Sequence, residues 1–84
     1  MTQLEKRVEK FLSTPPDVSF ADVATVLDAF GYQERPGGGG HRVFVAEDQQ
    51  PIVIPTAHGR RVKRVYIKMI VDRLGLEEWH EARR

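Results

Sequence analysis

Residues 32–55, YQERPGGGGHRVFVAEDQQPIVIP, decide the fold. Three short runs alternate here with turn-forming residues. YQER at 32–35, HRVFVA at 41–46 and PIVIP at 51–55 read as strands. The glycines at 37–40 and the polar EDQQ at 47–50 read as the loops between them. The pattern predicts a three-stranded antiparallel meander. Pro51 and Pro55 bracket the third strand, and a residue that cannot donate to a ladder belongs at a sheet edge.

The flanks carry a different period. Thr2 and Glu5 form a capping-box pattern, and Leu4, Val8, Phe11 and Leu12 then line one helical face up to Pro15 and Pro16. Ser19 and Asp22 open a second helix with a stripe of Phe20, Val23, Ala24, Leu27 and Phe30, closed by Gly31. After the meander, Val62, Val65, Tyr66, Met69, Ile70 and Leu74 recur at helical spacing, and Gly75 ends that helix. Arg64, Lys68 and Asp72 form its wet edge. LEEWHEARR at 76–84 reads as a short helix or a tail. The expectation is an α+β domain, order α-α-β-β-β-α, with a three-stranded antiparallel sheet and helices packed on one face.

The 84 residues suggest a single domain spanning 1–84, with a modest core. Cysteine is absent, which removes disulfides and thiolate metal sites and fits a reducing compartment. No apolar run approaches membrane-spanning length, and the charged stretch MTQLEKRVEKFL does not resemble a signal peptide. A soluble, cytoplasmic protein without a membrane role is expected. The net charge of +1 is uneven: −2 over residues 1–35, +4 over 36–68 and −1 over 69–84. A basic centre between acidic ends suits a polyanionic partner, or else a solvated face.

The glycine run is not a phosphate-binding loop, because His41 and a strand follow it rather than Gly-Lys-Ser/Thr and a helix. His41, His58 and His80 are scattered and match no zinc pattern, so no metal or cofactor is expected. His41 stands apart. It opens a strand directly after a loop without side chains, sharing a face with Val43 and Val45 while Arg42, Phe44 and Ala46 share the other. With Phe44 turned to the helices, His41 faces the open side. Its expected neighbours are Arg42 and the basic run at 60–68. The alternative is a hairpin-edge histidine with no chemical role. Tyr32 and Tyr66 fit core packing better than base stacking, and Trp79 fits either docking on the body or meeting a partner.

FGYQERPGGGGHRVFV at 30–45 and PIVIPTAHGRRVKRVYIKMIVDRLGL at 51–76 together resemble the HicA family of toxins from toxin–antitoxin pairs. The shared places are Gly31-Tyr32, Gly40-His41, IVIPTAH with Pro55 and His58, GRRVKR at 59–64, and Gly75-Leu76. The likeness covers residues 19–76. It leaves an extra N-terminal helix at 1–14 and a tail or short helix at 77–84. Gly40 stands where the family has serine. The resemblance implies a double-stranded-RNA-binding-domain-like fold and a ribonuclease that cleaves mRNA and stops translation. It implies a HicB-type antitoxin as partner. It implies His41 as the residue on which activity depends.

Cleavage without a metal needs a base, cations to hold the phosphate and an acid. His41 is assigned as base or acid; His58 is either the second proton-transfer group or a cap at the third strand's exit. Gly40, Arg42, Arg60, Arg61, Lys63, Arg64 and Lys68 are assigned to RNA contact. The competing readings are a non-catalytic RNA-binding module of the same fold and a domain that meets only a partner protein.

Overall fold

A computed structural model describes residues 2–36, 40–55 and 60–83. The chain forms a small α+β domain containing a three-stranded antiparallel sheet and helices. Its elements are α1 (Gln3–Leu12), β1 (Asp17–Ser19), α2 (Phe20–Ala29), β2 (Gln33–Pro36), β3 (His41–Val45), β4 (Ile52–Pro55), β5 (Arg61–Lys63), α3 (Arg64–Leu74) and α4 (Leu76–Glu81). The expected order is corrected by two added strands: β1 and β5 precede α2 and α3 and pair with each other. Of the two readings of the C-terminal run, the helix is the one formed, over Leu76–Glu81.

The local start signals work as read. Thr2 and Glu5 close the capping box of α1, each side chain accepting from the other residue's backbone at 3.0–3.1 Å. The Ser19 hydroxyl accepts from the Asp22 backbone N–H at 3.1 Å and caps α2. Gly75 ends α3 in the left-handed region, at φ 62°.

The meander has β3 in the middle, with order β2-β3-β4. Glu34 pairs with Phe44 and Pro36 with Arg42; on the other side Phe44 pairs with Ile52 and Arg42 with Ile54. Directly opposed residues share a face. One face therefore carries Phe44, Ile52 and Ile54, all buried, and Phe44 meets Phe20 of α2 with ring centroids 5.9 Å apart. The other face carries Gln33, Arg35, His41, Val43, Val45, Val53 and Pro55 and lies open; Val53 is 47% exposed.

The separate ribbon β1–β5 pairs Val18 with Val62, both fully buried. This corrects the reading of Val62 as a helical residue. It also shifts the buried face of α3. Ile67 and Ile70 are buried, whereas Val65 is 65% exposed, because a run apolar on nearly every side gives no unique stripe.

α1 joins the common core through Val8 and Phe11. Asp22 ties it to α2, accepting from Arg7 Nε at 3.2 Å and Lys10 Nζ at 2.9 Å. Burial pushes the Asp22 carboxyl up, but the hydrogen bonds and charges of Lys10 and Arg7 outweigh it and hold the group below its ordinary value. At the other end, Trp79 docks on the body, its ring against Phe30 at 5.6 Å, with the Arg83 guanidinium 4.0 Å from its centroid. His80 Nε2 lies 3.1 Å from Glu9, joining α4 to α1. Tyr32 is buried and Tyr66 packs against the core.

Two stability predictions follow from this packing. Asp22→Asn should cost about 1 kcal/mol at neutral pH in urea unfolding, a modest value because Arg7 and Lys10 remain partly in solvent. A carboxyl held low in the folded state stabilises above its unfolded value and loses that contribution on protonation. The gap between parent and Asn variant should therefore close as pH falls below 3.8. Gly75→Ala should cost about 1–2 kcal/mol in the same assay, because alanine resists the left-handed region. Its Cβ would also lie 3.0 Å from Glu78 Oε2.

Candidate functional site

His41 is the first residue of β3, exposed, and in register with Pro55, the last residue of β4. Pro36 ends β2 at the same end of the sheet, opposite Arg42. The chain thus leaves the sheet at Pro36, returns at His41 and leaves again at Pro55, all at one end. His41 sits at the end of the sheet where β2 and β4 stop. His58 lies outside the described residues. Gly40 precedes His41 at φ 47°, a left-handed backbone that a glycine adopts without strain.

The sheet separates the cations assigned to the site. Arg42 is next to His41 in the chain but on the opposite face, where its Nε lies 3.5 Å from Glu34 Oε2. The expectation that it neighbours His41 in space is corrected, and the alternation of a strand is the reason. Arg61 lies on β5, with its Nε 2.9 Å from Asp17 Oδ1. Arg64 opens α3; its backbone N–H donates to the Pro16 carbonyl at 3.0 Å and its Nε to the Thr14 carbonyl at 3.0 Å. Arg60, Lys63 and Lys68 are exposed and make no ion pair among the described residues.

The basic run therefore forms one surface along β5 and the start of α3, built on the β1–β5 ribbon, and the described residues place His41 on the separate meander. Two of its arginines are anchored to the segment 14–17. This surface suits phosphate contacts, because lysine ammonium groups act as point charges on flexible stems and need no fixed geometry.

The residue that strand reading missed is Arg35. It pairs with Val43 and so lies on the open face with His41. Counting alternate positions across the hairpin would find it, but only with the register known. A glycine loop carries no side-chain pattern to set that register.

No family model, no curated protein and no solved structure matches this chain. An exposed imidazole at a strand start can exchange protons with a bound ligand.

His41→Ala should leave the unfolding free energy within about 0.5 kcal/mol of the parent, because the ring is exposed. Phe44→Ala, three residues along on the buried face, should cost about 3–5 kcal/mol. Urea titrations of both variants check this and show that any functional loss in His41→Ala is chemical.

Proposed function

We propose that this chain is a toxin of the HicA type with a double-stranded-RNA-binding-domain-like fold: a metal-independent endoribonuclease that cleaves mRNA and halts translation. The observation that carries the reading is the exposed His41 at the strand start on the open face of the sheet, at the end where segment 56–59 departs. This is the place that the sequence likeness assigns to the essential histidine. A HicB-type antitoxin is the proposed partner and the cytoplasm the proposed location. Among the described residues, no helix is long and apolar enough to cross a membrane.

In this mechanism His41 takes the proton of the ribose 2′-hydroxyl, whose oxygen attacks the adjacent phosphorus. Cationic side chains hold the phosphate as negative charge builds on its oxygens. An acid returns a proton to the departing 5′-oxygen, a role assigned to His58. The P–O5′ bond breaks, leaving a 2′,3′-cyclic phosphate on one fragment and a 5′-hydroxyl on the other. Arg60, Lys63 and Lys68, exposed along one surface, would hold flanking phosphates. Arg42, Arg61 and Arg64 would share their charge between RNA and their partners within the chain.

One observation favours a second reading, a binding module of the same fold without catalysis. Gly40 has no hydroxyl to orient the imidazole or to donate to phosphate, where the HicA motif has serine. The fold alone can hold RNA by shape and phosphate contacts.

Cleavage of a long single-stranded RNA in EDTA decides between them. The parent should cut, and His41→Ala should be slower by roughly 10²–10⁴-fold, the usual contribution of a positioned proton-transfer group. The products should carry cyclic phosphate and 5′-hydroxyl ends. Products with 5′-phosphate and free 3′-hydroxyl ends, or equal cutting by both proteins, would refute the mechanism. Salt-dependent binding with no cutting would select the binding module.

A further inference from the structure

The hairpin β2–β3 puts a second functional group on the His41 face. Arg35 is in register with Val43, two residues from His41. Diagonal neighbours on an antiparallel pair lie roughly 7–8 Å apart, within reach of a long side chain. Arg42 is across the sheet, beside Glu34. Of the strand residues on the open face, Gln33, Val43, Val45, Val53 and Pro55 are neutral. Among the described strand residues of that face Arg35 thus carries the fixed charge, diagonal to His41, and the nearest carboxylate, Glu47, lies beyond the end of β3.

The same face sinks at its far end. A depression of about 440 Å³ is lined by Gly31, Gln33, Arg35, Val45, Ala46 and Glu47. That volume lies in the range of small-molecule sites. The lining joins small and aliphatic side chains to an amide, a carboxylate and a guanidinium. Val45 is four residues along β3 from His41, roughly 13 Å at the usual strand rise. The two features are far enough apart to meet different nucleotides of one strand.

We infer that the open face of β2–β3–β4 is the path of a single RNA strand, on which Arg35 holds the phosphate next to His41 and the depression at Gln33 and Glu47 receives one base. The inference rests on the ribonuclease reading and adds to it the form of the substrate and the residues that select it. A single strand fits because its bases can splay onto a sheet, whereas a duplex keeps them stacked inside. Arginine suits the place because its planar fork matches two phosphate oxygens. Glu47 accepts hydrogen bonds, and Gln33 both donates and accepts. Together they favour a base with an exocyclic amino group, adenine, cytosine or guanine, over uracil.

The test uses ¹⁵N-labelled His41→Ala protein titrated with hexa-adenylate, hexa-cytidylate and hexa-uridylate, read by amide chemical shifts. Shifts should fall on Gln33, Arg35, Val43, Val45 and Val53. The adenylate and cytidylate oligomers should bind about tenfold more tightly than uridylate. Arg35→Ala in the same background should weaken binding about tenfold, and Lys6→Ala, an exposed cation on α1, less than about twofold. Glu47→Gln should flatten the base preference. Shifts confined to Arg61, Lys63, Arg64 and Lys68, equal losses from Arg35→Ala and Lys6→Ala, or no binding of any oligomer would overturn the inference. The parent's cleavage assay separates the two proposals. Cutting with RNA mapped to α3 removes the path and keeps the enzyme. Binding along the sheet without cutting removes the enzyme and keeps the path.

Discussion

The pairing of Val18 with Val62 is the constraint on which the arrangement depends. Both side chains are fully buried, and each sits in a three-residue strand that runs directly into a helix, β1 into α2 and β5 into α3. One ribbon therefore fixes where two helices begin, although its halves lie on either side of the whole meander. The Arg64 amide bonded to the Pro16 carbonyl carries the ladder one step past the strands. Removing this ribbon would leave the meander attached to the rest mainly through the contact of its inner face with α2. The ribbon also decides what the basic run can do, because it draws Arg61 to Asp17 and Arg64 to the turn after α1.

What was legible in the sequence was local. Thr2 with Glu5, Ser19 with Asp22, and Gly75 are signals satisfied within one turn of chain, and each helix end they mark is where the structure has it. The three meander strands were legible because Gly, Pro, Asp and Gln punctuate them. β1 and β5 were not, since three residues show no period and Val62 also continues the spacing of the helix after it. Only Val18, far away in the chain, makes it a strand residue. The buried side of α3 was missed for a related reason. VYIKMIV offers apolar residues in most directions, so tertiary contact alone chooses Ile67 and Ile70 over Val65.

The candidate site divides along the same line. The orientation of His41 followed from Phe44, three positions away in one strand, because alternation needs no partner. Arg35 needed the register of β2 on β3, which the glycine loop conceals. Arg42 illustrates the opposite error: adjacency in sequence guarantees opposite faces in a strand. His58 and residues 37–39 lie outside the described residues, so the role proposed for His58 rests on the sequence alone.

The strand that closes the meander has a further consequence. β4 is an outer strand among the described residues, and Ile52, Val53 and Ile54 would be a ready template for another chain's strand. Pro51 and Pro55 stand at its two ends and supply no N–H, so only a three-residue window can donate along that rim. On the opposite rim, β2 carries Glu34, Arg35 and Pro36. Both borders are therefore poor seeds for sheet polymerisation. A sheet face carrying Val43, Val45 and the exposed Val53 is thereby steered away from amyloid-like stacking of its own copies.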